Sequence, residues 1–114
     1  MPVLLVYGIP KNTKVTKLSQ FCENLRLVAA DIKELNITVD QVSVFFPTDR
    51  LEEGLGEEII VFVEGLFDRP ERTKKVRKDL ATAVAKTIRS YFSNTKMVEC
   101  FVKPFNPDLG FAET

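Results

Sequence analysis

The strongest constraint on this chain is that one pattern occurs twice at one spacing. An apolar run from Val3 to Tyr7 ends at Gly8, a segment with helical periodicity follows, and a second apolar run from Val42 to Phe46 stops against Pro47. The pieces return as Ile59 to Val63 with Glu64-Gly65 behind it, another periodic segment, and Val98 to Val102 ahead of Pro104. The interval from Gly8 to Pro47 equals that from Gly65 to Pro104. Short runs of β-branched and aromatic residues bounded by Gly or Pro read as strands. A helix between two strands of one sheet makes them parallel, with a right-handed crossover. The expectation is an α+β fold: two tandem βαβ units, residues 2–47 and 59–104, forming a four-stranded mixed sheet with two helices on one face, in a single domain over residues 1–114.

The first periodic segment places Leu18, Phe21, Cys22, Leu25, Val28, Ala29 and Ile32 at helical spacing, with Thr13 or Thr16 as the N-cap. In the second, Val76, Leu80, Ala83, Val84, Ile88 and Phe92 share a face. Asp68, three residues ahead of Glu71, reads as the cap of a capping box there, with Arg69 solvated on the first turn. With both helices on one face the other is bare, and Phe45 and Phe101, out of phase with their strand neighbours, point at it. An exposed apolar sheet face of that kind predicts an oligomer.

Charge and composition remove several function classes. The 16 basic and 16 acidic residues cancel, so no long-range field draws the chain to nucleic acid or an anionic membrane. No apolar stretch approaches the roughly 20 residues that a membrane span requires, and a cytoplasmic protein is expected. With no histidine and two cysteines, Cys22 and Cys100, on apolar positions of periodic segments, neither a metal site nor a cofactor is predicted. The glutamates around residues 52–64 read as a solvated strand edge rather than a cation site. Cys100 beside Glu99 lacks the cationic neighbour a reactive thiolate needs.

Pro2 is the residue with unused chemistry. Inside a chain its nitrogen is a tertiary amide. With Met1 removed it becomes a secondary amine at the head of a strand, able to take and return a proton. Proton transfer is efficient when the group titrates near the working pH, and burial or a cationic neighbour moves an amine that way.

Taken in order, Pro2 before a strand, the stretch FVEGLFDRPERTKKVRKDLATAVAKTI and the ending MVECFVKPFNPDLGF resemble the tautomerase superfamily, in particular its macrophage migration inhibitory factor-like branch. The resemblance covers nearly the whole chain. It implies a homotrimer packed sheet to sheet and an amino-terminal proline acting as general base on a small carbonyl compound in keto–enol exchange. On that reading Pro2 is catalytic, Phe101 and Phe111 are apolar pocket wall, and Glu64 and Glu99 face the substrate. The positions matching the family's basic residues hold Leu66, Ser43, Glu99 and Ile37, with Lys11, Lys14, Arg50 and Lys103 elsewhere near the expected pocket. Two glutamates beside the amine favour its protonated form, and they predict weak binding of dicarboxylates.

Two other readings follow from the same pattern. The fold could serve as a binding or structural trimer without chemistry. The order βαββαβ is also that of RNA-recognition modules; against that stand the zero net charge and a third strand, EEIIVFVEG, acidic at both ends.

Overall fold

The computed structural model describes residues 1–54 and 56–114. Strand β1 (Val3–Tyr7) leads to helix α1 (Val15–Ala30) and a short strand β2 (Ser43–Phe45), and the order repeats as β3 (Glu58–Phe67), α2 (Lys74–Tyr91) and β4 (Met97–Phe105). The sheet runs β2-β1-β3-β4. β1 pairs parallel with β2, β3 parallel with β4, and the two halves join antiparallel through β1 and β3, so the sheet is mixed.

Alternate residues of each strand turn to the helices. Leu4 and Val6 of β1 and Ile59, Val61 and Val63 of β3 are buried there, against Phe21, Leu25 and Ala29 of α1 and Val76, Leu80, Val84 and Ile88 of α2. The three- and four-residue spacings put those helix residues in single stripes. Each large aliphatic side chain removed from water contributes about 1.5–3 kcal/mol. Phe21 joins the two helices: its ring lies 5.2 Å from Tyr91, 5.2 Å from Phe92 and 6.0 Å from Phe46.

The opposite face carries one apolar row across all four strands. Phe45 is in register with Leu5, Leu5 with Phe62, and Phe62 with Phe101. The rings of Phe62 and Phe101 stack at 5.6 Å, and Phe45, Phe62 and Phe101 are 55%, 37% and 49% exposed.

Both predicted helix caps are displaced. Residue 14, a lysine, occupies the N-cap of α1 and makes no side-chain bond; the Thr13 hydroxyl instead donates to the Pro10 carbonyl, 2.7 Å away, closing the turn before the helix. For α2 the cap is Thr73, whose hydroxyl accepts the Val76 amide. Asp68 cannot cap because it still belongs to the sheet margin: its amide donates to the Phe105 carbonyl at 2.8 Å. The strands of the second half are longer than the apolar runs. β3 continues through Glu64-Gly65 to Phe67, and β4 passes through Pro104, which an edge strand tolerates because no partner needs its missing N–H.

Candidate active site

Pro2 lies immediately ahead of β1 and is buried. Its carbonyl accepts the Ser43 amide at 3.1 Å, which fixes it to β2 on one side. On the other side the next residue, Val3, is in register with Glu64 of β3. There β3 gains a residue relative to β4: Val63 faces Val102, yet Leu66 faces Pro104. This bulge explains Gly65, whose φ of +71° is left-handed, the conformation in which a Cβ is costly. It keeps Leu66 in the core while Phe67 pairs with Phe105.

Of the four residues assigned to the pocket, the protomer brings two to the Pro2 end of the sheet. Glu64 is one, exposed beside Val3. Phe111 is the other: it meets Phe67 edge-on at 4.8 Å, and Phe67 stands 6.0 Å from Phe105, so three aromatics close that margin. Glu99 and Phe101 lie elsewhere. Glu99 is in register with Ile60, level with Tyr7 at the far end of β1, about 13 Å along the strands from the Glu64 row. Phe101 sits midway, in the apolar row. Lys11 is also at the far end, paired with Glu52.

A cationic group not assigned to the pocket from the sequence gathers just beyond β3. Asp68, Arg69, Pro70, Arg72, Thr73, Lys74 and Arg77 line an open cavity of about 490 Å³ at the amino terminus of α2, on the same end of the sheet as Pro2. Arg72 is 7% exposed. It donates through Nη1 to the Phe67 carbonyl at 2.8 Å and through Nη2 to the Leu35 carbonyl at 2.7 Å, while Nε has no partner among the described residues. Among the described residues it forms no ion pair. Burial and the neighbouring Arg69 charge both push its pKa down. The nearby Glu71 charge works the other way but forms no direct pair with it; a desolvated cation without a paired anion is costly, and an anion beside it offsets that cost. Arg77 adds a second guanidinium, held by its bond to the Arg72 carbonyl at 2.6 Å. The sequence signal is DRPERTKKVR, five cations over ten residues, in which the spacing of Asp68 and Glu71 also fits a capping box and so points to a local role.

A second, larger cavity of about 1020 Å³ opens at the other end of β1, around Tyr7, Gly8 and Ile60. Pro2 lines neither cavity. Cys100 packs against the core, where burial pushes its thiol up to about 12, so it is a small apolar group rather than a nucleophile. Among the described residues, no group of three or more His, Cys, Asp or Glu side chains could hold a metal ion, and no helix is long and apolar enough to cross a membrane.

A mixed sheet ordered β2-β1-β3-β4 with two helices on one face is the architecture of the tautomerase superfamily, and comparison with solved structures gives the chain that fold. A fused 4-OT, described as a wild-type asymmetric trimer, superposes with a TM-score of 0.75 at 16% identity, covering 97% of this chain and 91% of that one. A member of the cis-3-chloroacrylic acid dehalogenase family gives 0.69 at 13% identity over 96% of this chain and 79% of that one. The macrophage migration inhibitory factor of Toxoplasma gondii gives 0.65 at 13% identity over 97% and 95%. Neither a sequence-family model nor a curated protein sequence matches the chain.

Proposed function

We propose that this protein is a tautomerase or isomerase of a small carbonyl acid, with Pro2 as general base once Met1 is removed. The observation that carries the reading is the placement, at the same end of the sheet, of a buried Pro2 anchored to Ser43 and the cationic entry of α2. The neutral amine takes a proton from the carbon next to a carbonyl, and the C–H electron pair passes into the enolate. The ammonium so formed returns a proton to oxygen, or to a more distant carbon when the double bond is conjugated. Arg69, Lys74 and Arg77 hold the substrate carboxylate. Their positive field lowers the affinity of the Pro2 amine for a proton, opposing Glu64, which raises it. This supply of cations revises the expectation that dicarboxylates bind poorly.

The working form is a homotrimer. Several solved structures of the same fold are described as trimers, and the row Phe45, Leu5, Phe62 and Phe101 supplies an apolar face for a second copy. In that assembly Glu99 and Phe101 reach the Pro2 end of an adjacent protomer, which explains why one protomer does not join them. On this reading the reaction takes no cofactor and the protein no nucleic-acid partner.

One observation favours the rival, a trimer of the same fold that binds without catalysis: Pro2 lines neither of the two cavities described above. Turnover of enol phenylpyruvate and of a dianionic enol separates the two. The catalytic reading expects Pro2→Ala to lower kcat by about 10²-fold or more, and Arg69→Gln with Arg77→Gln to raise KM, more for the dianion. Equal rates for wild type and Pro2→Ala would leave the binding role.

A further inference from the structure

The large cavity lies at the end of β1 opposite Pro2, and the proposed chemistry makes no use of it. Its floor is the last row of the bare sheet face, Tyr7 and Ile60 in register, together with Phe62 from the neighbouring apolar row, whose ring meets Tyr7 edge to face at 5.9 Å. Ile9, Leu18 and Phe46 close it toward the core, against which all three pack. Over this apolar bowl folds the segment following β2. The Asp49 carboxylate accepts the Gly54 amide at 2.6 Å, and such backbone N–H bonds hold its carboxyl below the usual range. The segment is tied to the β1–α1 turn by an ion pair between Glu52 and Lys11, both of which line the cavity.

Glu52 makes that pair from a backbone φ of +59°, a conformation that costs a non-glycine residue about 1 kcal/mol or more. Strain of this kind persists where surrounding structure enforces it, and ligand clamps are one such setting. The charges define what the bowl accepts. Lys11 is already paired, and Asp49 and Glu52 leave the lining with one more negative than positive charge, so an anion is repelled. A neutral aromatic ring has three aromatic side chains to pack on, and a single O–H or N–H on it finds carboxylate acceptors at the rim.

We infer that this cavity is a second binding site, for a small neutral aromatic compound bearing one hydrogen-bond donor, with residues 48–54 as its latch and the Lys11–Glu52 pair as the catch. The site shares no lining residue with the Pro2 end of the sheet, but it takes Phe62 from the row assigned to the second copy, so the compound would seat at the margin of that contact.

The test titrates the whole protein with indole, p-cresol and benzoate while following methyl resonances of Ile9, Leu18 and Ile60. Indole and p-cresol are expected to shift all three saturably, with benzoate at least tenfold weaker. Glu52→Gln is expected to weaken indole severalfold and to relieve the discrimination against benzoate. Thr48→Trp, an exposed rim substitution that need not disturb the fold, is expected to occlude the bowl and abolish the shifts. Benzoate binding as tightly as indole, indole shifts that survive Thr48→Trp, or no saturable shift at all would each overturn the proposal.

Discussion

The carbonyl oxygen of Met1 crowds the place where a side chain at Gly65 would begin: a Cβ there would come to 2.9 Å from it, on a backbone with φ of +71°. The amino terminus and the β3 bulge are therefore fitted to each other. Gly65→Ala is expected to destabilise the chain that retains Met1 by about 1–3 kcal/mol, through the left-handed φ and the crowded carbonyl together. In the chain that begins at Pro2 only the backbone contribution remains, so the cost is expected to be smaller. Urea unfolding of both forms checks the difference; equal costs would mean that Met1 does not rest on Gly65.

Arg72 ties the turn after α1 to the end of β3 through the Leu35 and Phe67 carbonyls. Arg72→Met fills the space but leaves both carbonyls without that donor, and a loss of about 2–3 kcal/mol is expected. Arg72→Lys keeps the charge and cannot reach both carbonyls, so its midpoint in urea is expected between those of wild type and Arg72→Met. If Arg72→Met is as stable as wild type, those two bonds do not hold the α2 entry.

Much of this was legible in the residues. The doubled spacing from Gly8 to Pro47 and from Gly65 to Pro104 encoded the order of elements, because strand and helix periods follow from side-chain geometry alone. Out-of-phase Phe45 and Phe101 marked the bare face, and both lie on it, in one row with Leu5 and Phe62. Boundaries were harder. Asp68 has the right chemistry for a cap, but whether it caps depends on where β4 ends, a contact with Phe105 nearly forty residues away. The site was least legible. Arg72 reads as a surface cation until Leu35 and Phe67 fold over it, and the far placement of Glu99 is set by strand register, which no local pattern carries.

The apolar row predicts what a single charge does to assembly. Phe62→Asp puts a carboxylate in the middle of the row, between Leu5 and Phe101. A change from trimer to monomer in sedimentation is expected, with helical circular dichroism retained, because Phe62 faces away from the helices. Wild type that sediments as a monomer at micromolar concentration would contradict the assembly.

Cys100 gives a pH signature. Its thiol ionises near 9.0 when free and near 12 in the fold, where burial penalises the thiolate. Above about pH 9 the unfolded chain has released a proton that the folded chain retains. Stability is therefore complete below that pH and falls as pH rises toward 12, by at most about 1.4 kcal/mol per pH unit from this group. Cys100→Ala is expected to flatten that fall, measured by urea midpoints between pH 8 and 10.5. A slope unchanged by the substitution would place Cys100 outside the core.

The central claim concerns the Pro2 nitrogen. Mass measurement of protein from its own cells, followed by a nitrogen-15 NMR titration of proline-labelled chain, addresses it directly. The account predicts a mass lacking Met1 and an imino group that titrates below the ordinary α-amino range of about 7.7–8.0, moved there by burial and by the Arg69, Lys74 and Arg77 charges. A retained Met1, or a nitrogen that stays protonated above about pH 9, would contradict it.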